Sequence, residues 1–213
     1  MIGKSAKIFA LLIALVVWAG LVLQFSISVP SYLRTGITMP GAIIQIFSFF
    51  TIQTNLLVAV CLTGLSVLPK TSWGKFFYRP SVLTAIAVYI SIVGLVYAVV
   101  LRNTWQPQGL FKTTDFLLHT ISPLLYVVFW LVFVSAGSVK WQAMLRWAIF
   151  PLAYLVYALV RGAVIGWYPY PFLDVAKLGY ERVAVNSLVI LVVFLIFSAL
   201  FIGGSCLRRR ITA

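Results

Sequence analysis

Residues 41–68 read GAIIQIFSFFTIQTNLLVAVCLTGLSVL, a run without a single charged side chain. At ~1.5 Å per residue such a helix is roughly 42 Å long, more than the ~30 Å of hydrocarbon in a bilayer. It is also too long and too uniformly apolar for the tilted, alternating strands of about 10 residues that build membrane barrels. The stretch therefore reads as a membrane helix, although Gln45, Ser48, Thr51, Gln53, Thr54 and Asn55 lie inside it.

The surrounding sequence repeats the pattern. Apolar runs near 6–28, 80–101, 113–135, 143–166 and 182–206 join 41–68, each long enough to cross a bilayer. Of the 213 residues 63% are hydrophobic and 9% charged, far from the ~25% charged usage of soluble domains. The mean hydropathy of +1.10 agrees. The expectation is an all-α integral membrane protein, a six-helix bundle forming a single transmembrane domain over 1–213. The loops, 29–40, 69–79, 102–112, 136–142 and 167–181, are too short to fold alone. Lys4 and Lys7 precede the first run, but its apolar part exceeds a secretory h-region of about 7–15 residues and no small-x-small site follows, so it reads as a retained helix.

With both termini in the cytoplasm, ten basic residues fall inside (Lys4, Lys7, Lys70, Lys75, Arg79, Lys140, Arg146 and Arg208 to Arg210) and six outside (Arg34, Arg102, Lys112, Arg161, Lys177 and Arg182), which favours that orientation. The formal charge of +13 is then flank charge facing anionic membrane lipids and implies no nucleic acid. Cys61 and Cys206 match no zinc spacing, one histidine with scattered acids makes no usual metal set, and no cofactor is called for. Trp18, Trp73, Trp105, Trp141 and Trp167 fall near expected helix ends, as interfacial anchors do. No internal repeat of the kind that marks many transporters is visible.

On a helix of 100° per residue, Ser48, Thr51 and Asn55 share a face within about 60°, with Gln45 nearby and Gln53 pointing elsewhere. The fourth helix aligns Lys112, Asp115, His119, Ser122 and Tyr126 within roughly 80°, including the sole histidine and one of three acids. Ionisable groups in a span cost about 2.5–3.5 kcal/mol on insertion scales, so they normally face the bundle interior or a wet cavity. Pro123 removes the helical partner of the His119 carbonyl, which predicts a kink there. Tyr154, Tyr157 and Arg161 share a face of the fifth helix, and Arg161 either snorkels to headgroups, pairs with Asp174 or holds a substrate carboxylate. Asn186 reads as helix glue. The surplus length of the second span tilts or protrudes, which brings Thr51 toward the level of His119.

A threonine hydroxyl needs a base, and imidazole is best suited near neutral pH, so Thr51 and His119 fit nucleophile and general base. Asp115, one turn away, is placed to orient the ring, and Asn55 or Ser122 to donate to a developing oxyanion. Ser48 and Arg161 are candidate supporting groups. The same polar stripe also suits a lipid-binding or transport protein without chemistry, or a structural membrane partner.

Phe49-Phe50-Thr51, His119-Thr120 with Pro123 four residues after the histidine, and Tyr170-Pro171-Phe172-Leu173 resemble the androgen-induced and androgen-dependent transmembrane protein family, in its bacterial six-helix branch. The likeness covers most of the chain in order and spacing. It implies an intramembrane threonine hydrolase of fatty acid esters of hydroxy fatty acids, acting through a threonine on the second helix and a histidine on the fourth, here Thr51 and His119. Gln53-Thr54-Asn55 departs from the more apolar or acidic stretch of mammalian members, which bears on the acyl pocket.

Overall fold

The computed structural model describes residues 3–104, 106–137 and 139–212, with the side chains of 210–212 excepted. Among these residues all regular structure is helical, and six helices are long and apolar enough to cross a membrane. The first span is α1 (Lys4–Arg34). The second is α3 (Phe50–Val67), preceded by the separate short α2 (Met39–Phe47). After the short α4 (Ser72–Phe77), the third span is α5 (Pro80–Val96) continued by a π-helical turn, Tyr97–Leu101. The fourth is α6 (Leu110–Phe116), a π turn at Leu117–Ile121 and α7 (Ser122–Phe133). The fifth joins α8 (Ala143–Trp147) to α9 (Ile149–Ile165), and the sixth is α10 (Val175–Thr212).

Small side chains set the packing. α1 turns Ala6, Ala10, Ala14, Val17 and Leu21 inward at helical spacing, and α3 meets it with Val58, Ala59, Leu62 and Leu65. Without a hydrophobic force between helices in lipid, close approach of small residues is what holds such pairs. Leu62, Ile90, Tyr126 and Phe129 fill the centre between α1, α3, α5 and α7. Phe194 and Ile202 of α10 pack on Ala85, Val88 and Tyr89 of α5. Leu12, Leu15 and Val22 of α1, Val156, Val160 and Val164 of α9, and Leu188, Ile196 and Leu200 of α10 stay exposed, as a surface facing lipid requires.

Three departures from the sequence expectation shape the site. The second span does not tilt as one long helix: Phe49 is extended (φ −85°, ψ 127°) and the helix breaks there. A helix break beside a membrane span frees backbone groups that lipid cannot satisfy, each at several kcal/mol where it meets hydrocarbon. The amides and hydroxyls of the stretch meet that demand. Gln53 Nε2 donates to Phe47 O (2.9 Å), and Tyr154 Oη of α9 donates to Ser48 O (3.0 Å). Ser48 Oγ donates to Ile44 O (2.7 Å), and since that carbonyl only accepts, the 2.8 Å contact of Ser48 with Tyr157 is donated by the phenol.

The expected kink at His119 takes the form of the π turn, in which the Ser122 amide bonds back five residues to Leu117 O. Gly94 on α5 faces this point: a Cβ there would stand 3.4 Å from His119 O and 3.3 Å from Pro123 Cβ, so glycine lets the two spans touch. Helix boundaries also differ. α1 runs through Pro30 to Arg34, where a loop from 29 was expected, and α10 begins at Val175, bending at Gly179 (φ 76°). Trp18 is not at a helix end; it lies mid-α1 and donates to Thr63 Oγ1 (3.1 Å). Trp73 and Trp141 are exposed as anchors should be, whereas Trp105 lies outside the described residues.

Candidate active site

Thr51 is the second residue of α3, so its amide is one of the helix-start donors with no partner in the helix. Its hydroxyl, Oγ1, lies 3.2 Å from His119 Nε2. On the other side of the imidazole, Nδ1 is 3.1 Å from both the backbone oxygen and Oδ1 of Asp115, one turn earlier. A carbonyl oxygen only accepts, so Nδ1 carries the hydrogen and Nε2 presents its lone pair to the threonine hydroxyl. Hydroxyl and imidazole thus form a hydrogen-bonded pair of the nucleophile and base type, with the Asp115 carboxylate standing 3.1 Å from the opposite ring nitrogen. Thr51 and Asp115 are buried and the His119 side chain is 18% exposed.

Two tyrosines to which sequence reasoning gave no role in the site complete the arrangement. Tyr97, in the π turn of the third span, stacks on the His119 ring (centroids 4.3 Å apart, planes at 17°) and donates to Asp115 Oδ2. The carboxylate is therefore held by the Tyr97 phenol through Oδ2, while its Oδ1 stays 3.1 Å from His119 Nδ1. Tyr170, in the segment before α10, reaches Thr51 twice: the Thr51 amide donates to its oxygen at 3.3 Å, and its Oη is 3.4 Å from Thr51 Oγ1. With the threonine hydrogen directed at His119, Thr51 Oγ1 is an acceptor within reach of the phenol hydrogen. Burial pushes the Tyr170 phenol above its ordinary value, with its hydrogen bonds to Thr51 acting the other way, so it stays a donor. Phe49 packs edge-on to Tyr170, Phe172 stacks on it, and Asn186 of α10 donates to Phe172 O (2.9 Å), which fixes the segment.

The other expected residues do not reach the reacting atoms. Asn55 spends its amide hydrogens on Thr51 O (2.9 Å) and Leu118 O (3.1 Å), so it clamps α3 to the π turn and has no donor left for an oxyanion. Ser122 is fully buried and lines neither of the cavities that meet at Thr51. Ser48 serves the helix break. Arg161 does not pair with Asp174, which faces Lys177 at 3.4 Å; it donates to Gln45 Oε1 (3.0 Å) and lies over the Trp167 ring. The polar face inferred for the second span thus reduces, at the site, to Thr51 alone. Gly20 of α1 supports the clamp, since a Cβ there would come within 3.0 Å of Leu118.

Two cavities meet at Thr51, Leu101 and Tyr170. One, of about 100 Å³, lies between α5, α9 and α10 and is almost wholly apolar, with Ile92, Val96, Leu152 and Ile190 in its wall. The other, of about 430 Å³, lies between α1, the helix break and the fourth span, and adds Gln24, Ser28, Ser31, Tyr32 and Thr104 to His119 and Asp115. A third, more open depression behind the Tyr97 and His119 rings includes Arg102 and Lys112 but does not reach Thr51. Compared with protein families, curated proteins and solved structures, the chain matches none.

Proposed function

We propose that this protein is an intramembrane threonine hydrolase of lipid esters. The observation that carries the reading is the 3.2 Å contact between Thr51 Oγ1 and an imidazole whose opposite nitrogen is held by Asp115. In the reaction, Thr51 Oγ attacks the ester carbonyl carbon while its proton passes to His119 Nε2. The tetrahedral oxyanion, formed on the former carbonyl oxygen, accepts a hydrogen bond from the Tyr170 phenol, which turns to it from the adjacent Thr51 Oγ and keeps its proton, near the amide-bearing start of α3 whose dipole favours negative charge. Collapse breaks the bond to the alcohol oxygen, which leaves with the proton from Nε2. Water then attacks the acyl-threonine, gives a proton to Nε2, and collapse returns that proton to Thr51 Oγ with release of the acid. One ester and one water become one acid and one alcohol.

The resemblance to the androgen-induced and androgen-dependent transmembrane family supports the same Thr51 and His119 pair and suggests fatty acid esters of hydroxy fatty acids as substrates. The excess of basic residues on one set of loops supports both termini in the cytoplasm, and the bacterial character of the resemblance supports a place in the bacterial cytoplasmic membrane. Access from the outer leaflet follows from that orientation. Purified protein incubated with a panel of lipid esters should release acid and alcohol measurable by mass spectrometry, and Thr51→Ala and His119→Ala should each abolish release while remaining folded. Turnover retained in either variant would reject the assigned roles. Binding or transport without product would instead favour the non-catalytic reading.

A further inference from the structure

We infer that the two cavities divide the ester, the acyl chain entering the apolar chamber between α5, α9 and α10 and the alcohol half entering the chamber beside α1, whose largely apolar wall also carries polar groups. The inference rests on the hydrolase reading and adds direction to it. Thr51 Oγ1, the only group that bonds to the substrate carbon, is in the wall of both chambers, whereas His119 is in the wall of the second and not the first. The same Nε2 that takes the threonine proton must deliver it to the departing alcohol oxygen. That oxygen therefore lies on the His119 side when its bond to carbon breaks, and the acyl carbon chain extends away from it. Past Thr51 and Tyr170 on that other side lies the chamber lined by Ile92, Val96, Leu152 and Ile190.

The linings suit the two halves. An acyl chain gains from apolar walls alone. The alcohol meets Gln24, whose Nε2 donates to Ser28 Oγ (2.6 Å), together with Ser31, Tyr32 and Thr104, groups able to hydrogen-bond a hydroxylated leaving group. Once the alcohol departs, its chamber is the space through which water reaches Nε2 for the second half of the cycle. Among the described residues, no lysine or arginine side chain lines this chamber. Selectivity for the alcohol is accordingly a matter of hydrogen bonds, and selectivity for the acid a matter of length.

The test uses full-length protein and two ester series: monoacylglycerols with acyl chains of increasing length, and the matching ethyl esters. Each methylene that the apolar chamber accepts should raise kcat/KM about fourfold. Ile190→Trp, or Leu152→Trp should the first fail to fold, should shorten the preferred chain and leave the glyceryl-to-ethyl ratio unchanged. Gln24→Leu, or Thr104→Val, should lower that ratio by about 2- to 10-fold per hydrogen bond lost and leave the length profile unchanged. Exchanged effects, with the tryptophans altering alcohol preference or Gln24→Leu altering acyl length, overturn the assignment, as does no effect from either set. Wild-type protein that hydrolyses neither series nor a fatty acid ester of a hydroxy fatty acid run beside them overturns the hydrolase reading itself, which separates the two failures.

Discussion

Replacing Asp115 by asparagine isolates what the carboxylate does for the imidazole. In a serine-protease triad, where the carboxylate alone fixes the tautomer, the same change lowers kcat about 10⁴-fold. In this protein His119 Nδ1 has a second acceptor at the same 3.1 Å, the Asp115 backbone oxygen, which the substitution leaves in place. The tautomer and ring orientation should survive, helped by the Tyr97 ring stacked 4.3 Å away. What disappears is the negative charge 3.1 Å from the imidazolium formed in the transition state, taken at the strength of one charge-assisted contact, about 1.5–3 kcal/mol. At about 1.4 kcal/mol per decade, kcat falls about 10- to 150-fold with KM little changed. Steady-state release of fatty acid by purified Asp115→Asn, alongside wild type and His119→Ala, measures it. Turnover within twofold of wild type would remove the carboxylate from the mechanism. A loss as complete as that of His119→Ala would show that the backbone carbonyl does not hold the ring, and the reasoning would fail.

Tyr170→Phe removes the hydrogen offered to the oxyanion, so kcat should drop by about 10²- to 10³-fold. Since burial raises this phenol above its ordinary value near 10, the group stays protonated at neutral and mildly alkaline pH, and its donor function is lost only as pH rises through that raised value; the variant should lower the pH–rate profile without reshaping it between about pH 7 and 9.5. Gln53→Leu strips the Phe47 carbonyl of its donor and should destabilise the fold by about 1–3 kcal/mol in thermal unfolding, with activity falling because Thr51 sits on the same first turn of α3. Gly94→Val forces atoms into the contact with Pro123 and the His119 carbonyl, at a cost of about 1–3 kcal/mol and with a loss of turnover larger than the loss of folded protein.

The spans and the meeting of Thr51 with His119 were legible because hydropathy is additive along a helix and because a lone imidazole in a membrane run is costly without a task. The break at Phe49 was not, since no glycine or proline marks it. Its stability comes from Gln53, Tyr154 and Tyr157, and a helical wheel drawn through an unbroken 41–68 cannot register those contacts. That wheel put Asn55 beside Thr51 correctly but carried no information on where its amide hydrogens go. Tyr97 escaped notice because a tyrosine near the end of an apolar helix resembles an interfacial anchor; the signal that could have found it is its arrival at the level of Asp115 across the bundle. Tyr170 sits in a connecting segment where periodicity says nothing, and only the motif around it pointed to significance.

A π turn is a helix holding one residue more than its ladder of bonds can use. Taking Leu117 out of the fourth span would let that ladder close, and residues 110–116 would swing by about 100° and slide ~1.5 Å relative to His119. Asp115 would be carried off the imidazole while α7 went on packing against Gly94. The third span bears the same surplus at Tyr97–Leu101, and shedding it would swing Arg102 and the residues after it in the same way. In this scaffold, a single added amino acid in the fourth span decides whether Asp115 stands beside the imidazole.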